Sequence, residues 1–201
     1  MKQFESTGYV LTRRSLKDSD LIITLYTKEE GKISVIAKGI KKPKAKLKSQ
    51  IEPLVEIKLR YIGSSKLPVL VGAQALASNS YFNAGMDVRM LALMLTEILG
   101  TITIESQPNA ALYVVYKQSI EEMINSKTPV LELVYSIIQM MKLSGIEPQI
   151  GKHPQASKLY FDYDEGCVTT KIGNHKFTPI SSDVAKLWMV CSQYHKQTIL
   201  R

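Results

Sequence analysis

Residues 55–61 read VEIKLRY, and the alternation in this stretch decides the N-terminal fold. In an extended chain Val55, Ile57, Leu59 and Tyr61 face one side, and Glu56, Lys58 and Arg60 face the other. That is the pattern of a half-buried strand in an antiparallel sheet. Upstream, KISVIAK (32–38) alternates in the same way, with Ile33, Val35 and Ala37 on one face. TGYVLTRRSL (7–16) and LIITLYT (21–27) are β-branched and aromatic runs, and the polar, glycine-ended KEEG (28–31) reads as a tight turn. Downstream, LPVLVGAQALA (67–77) supplies a fifth strand, with Gly72 at an expected bulge or bend. Five short strands whose longest connection lies between the third and fourth fit a small closed barrel of the OB type. A sandwich fragment or an SH3-like barrel fits the pattern nearly as well.

From about Asn83 the apolar period lengthens from two to 3.6. Asp87–Leu99 is a strongly apolar helix, too wide in its apolar surface for a single stripe, so a central place in a bundle is expected. Asn109 caps a second helix running to Asn125. Thr128-Pro129 opens a third, which stops at Gly145 with Pro148 beyond it. Ser181-Ser182-Asp183 caps a last helix, Val184–Tyr194. The stretch 148–180 holds glycines and short β-type runs, and reads as a small irregular subdomain inserted between helices. The fold class is therefore α+β multidomain: a five-stranded barrel over 1–80, then a helical domain over 81–201.

Charge is distributed unevenly. Of the net +8, residues 1–62 carry fourteen Lys/Arg against seven Asp/Glu, whereas residues 63–201 carry twelve against eleven. The excess concentrates in AKGIKKPKAKLKSQ (37–50), which holds six lysines and no acidic residue. Like charges crowded this way do nothing for the compact state, so an external polyanion is the expected counterpart. The run is internal and flanked by strands, and Pro43 discourages a continuous helix. If extended, Lys44, Lys46 and Lys48 point to one side roughly 6–7 Å apart, a spacing comparable to that of phosphates on a single strand. The candidate DNA-binding residues are Lys38, Lys41, Lys42, Lys44, Lys46 and Lys48, joined by Arg13 and Arg14. Lysines supply charge rather than base reading, so binding is expected to be salt-sensitive and sequence-tolerant. Tyr9, Tyr26 and Tyr61 read first as core or rim residues, with base stacking as the alternative.

Other classes are disfavoured. No stretch of about 18 uncharged apolar residues occurs, so no membrane span is expected, and residues 1–5 lack the apolar core of a signal peptide, which makes the cytoplasm the default location. No nucleophile elbow, phosphate loop or zinc-protease string is present, so no catalytic residue is assigned. Asp162–Glu165 reads as a solvated acidic turn. Cys167 and Cys191 are too few for a disulfide framework and read as buried free thiols. His153, Cys167 and His175 are spaced unlike any standard zinc module, so neither metal nor cofactor is expected. Met90, Met94, Met123, Met140 and Met141 read as core, with an adaptable groove for a partner peptide as the alternative.

The order of these parts resembles the RecO family of bacterial DNA repair proteins. Gly8-Tyr9-Val10-Leu11, the pair Arg13-Arg14, Ser19–Thr27, Gly31–Gly39 and Lys41–Lys44 follow the pattern of that family's N-terminal domain, and QPN (107–109) and LSGIEP (143–148) sit where its helical domain has similar strings. The resemblance implies an N-terminal OB fold that binds single- and double-stranded DNA and anneals complementary strands. It also implies partners: RecR, for loading RecA, and the acidic tail of single-strand-binding protein. The implied location is cytoplasmic and nucleoid-associated. Many members carry a four-cysteine zinc module near the C-terminus. Here 148–180 offers Cys167 alone, so apolar contacts from Leu159, Phe161, Ile172 and Phe177 are expected instead of the metal. A general OB-fold nucleic-acid or RNA-binding adaptor without a recombination role is the alternative.

Overall fold

The computed structural model describes residues 2–41, 47, 50–63, 67–76, 84–150, 156, 158–174 and 176–193. The chain divides into two compact units, Met1–Leu133 and Val134–Arg201.

In the first unit the strands are β1 (Gln3–Ser15), β2 (Leu21–Thr27), β3 (Gly31–Ala37), β4 (Glu56–Ile62) and β5 (Val69–Ala75). They pair in the order β1-β2-β3-β5-β4, and β4 returns to β1, so the sheet closes. β1 makes closure possible by serving two partners. Its first half, Gln3–Tyr9, pairs with β4, and its second half, Gly8–Ser15, pairs with β2 with a register shift between Val10 and Thr12. It starts four residues before the expected Thr7, because Gln3–Ser6 has no β-branched signal. The seam between β3 and β5 is the thinnest, a parallel contact at Ile36–Val69. The alternating residues meet inside: Val10, Ile23, Leu25, Val35, Ile57 and Leu59 are fully buried.

Two helices of the first unit, α1 (Met86–Ile102) and α2 (Ala110–Asn125), pack on this barrel. The first compact unit thus includes these two helices as well as the barrel. A cross-strand row of Tyr26, Tyr9 and Glu56 faces outward from β2, β1 and β4, and α2 covers it. The Tyr9 ring lies 5.7 Å from Tyr113 and 5.0 Å from Tyr116. The helix connection is tied to the β2–β3 turn. Lys32 donates its ammonium to the Gly100 carbonyl at 2.8 Å and to the Thr103 carbonyl, satisfying the end of α1. The Gln107 backbone packs so closely on Gly31 that a Cβ there would lie 2.3 Å from its carbonyl oxygen. Asn109 caps α2 as expected, accepting from the Leu112 amide at 3.0 Å. α1 is not the buried central helix that its composition suggests. Ala92, Leu95, Thr96 and Leu99 are buried, whereas Met86, Met90, Leu93 and Met94 are exposed.

The third helix, α3 (Pro129–Leu143), leads into the second unit. It ends where Ile146 donates to the Met141 carbonyl and Gly145, at φ +71°, to Lys142, a Schellman stop. The stretch expected to be irregular forms a small sheet instead: β6 (Gln149–Ile150), β7 (Leu159–Asp162), β8 (Cys167–Thr169) and β9 (Phe177–Ile180), in the order β6-β8-β7-β9. Its core is Leu159, Val168 and Ala185, the last from α4 (Ser182–Gln193), with Phe161 packed alongside. Ile172, expected in that core, is exposed. Cys191 is buried as expected, but Cys167 is partly exposed. Among the described residues, no cluster of three or more His, Cys, Asp or Glu is arranged for a metal, and no helix is long and apolar enough to cross a membrane. His153, His175 and His195 lie outside the described residues.

Candidate nucleic-acid interface

The basic connection leaves β3 at one end of the barrel. There the β1–β2 loop and the start of the connection are pinned to each other. The Asp20 carboxylate accepts the Gly39 amide at 2.7 Å, and the Lys41 amide donates to the Ser19 carbonyl at 3.1 Å. The Gly39 amide holds the Asp20 carboxyl below its usual range, with smaller help from Ser19, Lys17 and Lys38. The Lys41 ammonium reaches Ser15 Oγ at 2.9 Å and the Lys17 carbonyl at 3.2 Å. Ser15, Leu21 and Ala37 form the last row of the β1–β2–β3 sheet. Arg14 just before that row and Lys38 just after it are exposed, as is Lys17 on the loop.

The candidates fare differently. Arg14, Lys38 and Lys41 gather at this end. Arg13 is exposed too, but its guanidinium is engaged by Glu52 at 2.6 Å, which lowers its value as a phosphate contact. Lys42, Lys44, Lys46 and Lys48 lie outside the described residues. The three tyrosines are core residues: Tyr26 is fully buried and Tyr9 nearly so, while Tyr61 stacks on Phe4 at 5.4 Å and donates to Glu30. Stacking on them is excluded by their burial. Of the methionines, Met123 and Met140 are buried, and Met90 and Met94 are exposed on α1.

The connection returns to the barrel on another flank. Leu47 lines a groove of about 440 Å³ together with Glu5, Lys58, Arg60, Gly72, Ala73 and Gln74. Gln50 then accepts the Ala75 amide at 2.8 Å on the open side of β5. Both anchors of the lysine run are thus fixed on the barrel, one beside the β1–β2 loop and one beside the β4–β5 wall. Three cations here were not among the candidates: Lys17, Lys58 and Arg60. The alternation in VEIKLRY had already turned Lys58 and Arg60 outward. What the sequence lacks is any sign that the lysine run comes back to their strand.

The family model for the recombination protein O N-terminal region matches residues 1–79, which is the barrel and its basic connection. Among curated relatives, DNA repair protein RecO of Listeria monocytogenes is 28% identical over 145 residues, covering 72% of this chain and 57% of the relative. RecO of Pseudoalteromonas atlantica is 27% identical over 117 residues, covering 58% and 48%, and RecO of Albidiferax ferrireducens is 25% identical over 142 residues, covering 71% and 56%. The matched region thus spans about half the length of these relatives. The N-terminal barrel and the basic connection within it are thus similar to the N-terminal region of recombination protein O, and the likeness to curated RecO proteins extends over 72% of the chain.

Proposed function

We propose that this chain is a non-catalytic recombination mediator in DNA repair, and that residues 1–80 form an OB-type barrel that holds DNA. The observation that carries the reading is a lysine-rich connection anchored at both ends to a closed barrel, beside the exposed Arg14 and Lys38. Arg14, Lys38, Lys41, Lys42, Lys44, Lys46 and Lys48 supply the charge, with Arg13 held in part by Glu52. The seat binds single- and double-stranded DNA by neutralising phosphates, without reading bases. Annealing follows from the same physics, because two strands held against one basic surface repel each other less. Residues 81–201 dock protein partners, a RecR-like protein and the acidic tail of single-strand-binding protein, a reading supported by the similarity to RecO proteins alone.

Fluorescence anisotropy with labelled single- and double-stranded oligonucleotides, at several salt concentrations, tests the reading. With about five phosphates neutralised, log affinity falls against log salt with a slope of about −3 to −4 for single strands. Absence of binding at low salt overturns it. An annealing assay with complementary strands separates a mediator from a simple nucleic-acid adaptor, which binds without accelerating pairing.

A further inference from the structure

The outer wall of β4–β5 carries a second cationic element, separate from the barrel end. Lys58 and Arg60 are both exposed and stand two residues apart on one strand, so their side chains leave the same face roughly 6–7 Å apart. Arg60 lies directly opposite Glu5 in the β1–β4 register, yet Lys58 takes that carboxylate, at 3.2 Å. The Arg60 guanidinium forms no hydrogen bond or ion pair among the described residues. It rests instead against Gly72 of β5, its pairing partner, where a Cβ would come within 3.3 Å of both Nε and Nη2. Bare backbone therefore floors the arginine and leaves its fork free. The register shift between Arg60 and Tyr61 bends the sheet at this point, a common way of re-aiming a side chain. Gln74 adds a polar group, and Leu47, the returning end of the basic connection, adds an apolar rim.

We propose that this wall, with Arg60 as its fork and Lys58 beside it, is a phosphate seat for single-stranded nucleic acid that extends the path beyond the barrel end. The inference rests on the DNA-holding reading of the barrel. A planar five-donor fork matches phosphate bidentately, and one that is already unpaired need break no internal contact to bind. An apolar rim beside the fork suits an unstacked base, which a paired duplex does not offer. Glu5 is the built-in competitor: phosphate must displace it from Lys58.

The test uses the full chain and a fluorescein-labelled oligothymidylate of about twenty nucleotides, titrated at several salt concentrations. Arg60→Ala lowers the magnitude of the salt slope by about 0.7, and K58A/R60A by about 1.4, the single-strand increment per lost phosphate contact. Arg60→Lys retains the slope but weakens binding, and Glu5→Gln tightens binding several-fold by freeing Lys58. Circular dichroism melts accompany each variant, and the Arg60→Lys and Glu5→Gln arms decide the matter should Arg60→Ala fold poorly. If wild type binds and the Arg60 and Glu5 variants match it in affinity and slope, the wall seat is overturned while the barrel reading survives. If wild type binds no oligonucleotide, the barrel reading itself fails. Polyglutamate competing as well as oligothymidylate, charge for charge, overturns the assignment to nucleic acid and points to an acidic protein.

Discussion

Glu56 occupies a strand position that the alternation assigns to solvent, yet it is buried. Its oxygens accept from Tyr113 Oη at 2.7 Å and from Lys117 Nζ at 2.8 Å, both on α2. Burial first, and the neighbouring Glu56 carboxylate second, push the Tyr113 phenol well above its ordinary value, so it remains a donor. Glu56→Ala leaves that phenol buried without an acceptor and is expected to cost about 1–3 kcal/mol in urea denaturation. Lys117→Ala is expected to cost at most about 1 kcal/mol, since its ammonium sits near the surface and is screened. A second residue-scale prediction concerns Gly31. Its φ of +73° and its packing on the Gln107 backbone leave no room for a side chain. Gly31→Ala is expected to destabilise the first unit by more than about 1 kcal/mol, read from the same denaturation curves. Two other carboxylates set the acid limit. Asp20 is held low by the Gly39 amide; Glu29 is pushed up by burial but pulled further down by Ser6 Oγ and the Thr7 amide. Groups with depressed folded values stabilise above their ordinary range, and that contribution is lost as pH falls through the folded values. Stability is therefore expected to decline below about pH 4.5, and D20N/E29Q to flatten the decline in melts recorded against pH.

At the scale of elements, local patterns carried far. Ile57, Leu59 and Tyr61 went inside and Lys58 and Arg60 outside, as alternation requires. The caps at Asn109 and Gly145 were readable because their chemistry is local. The errors came where a distant element intervenes. Nothing near Glu56 announces that a helix more than fifty residues away will cover it. Nothing near Met90 says that α1 buries only one face. Inside 148–180, runs of two to four residues were too short to declare a sheet, and the alanine that completes its core belongs to α4. That core gives a prediction. Leu159, Val168 and Ala185 close the small sheet with apolar contacts. Treatment with a chelator is expected to leave the melting transition unchanged, whereas Leu159→Ala is expected to lower stability of this unit by about 2–5 kcal/mol. A melt that shifts on chelation would mean that metal, not this cluster, holds the sheet together.

For the molecule as a whole, the charge step acquires a geometry. Cations at the barrel end belong to the β1–β2 loop and the exit of β3; those on the wall belong to β4. In sequence the lysine run 42–48 links the two sets: Lys41 before it is held at Ser15–Ser19, and Gln50 after it is held at Ala75. Its charge should oppose folding slightly and favour binding strongly, two effects with opposite responses to salt. Neutralising Lys42, Lys44, Lys46 and Lys48 to Ala is therefore expected to leave the melting temperature unchanged or raise it at low salt. The same variant is expected to lower the magnitude of the single-strand salt slope by about 2.8, four contacts at about 0.7 each, and to slow annealing of complementary strands in proportion. Should the slope hold while the melting temperature falls, these lysines would be structural, and the link between the two cationic sets would have to run through other residues.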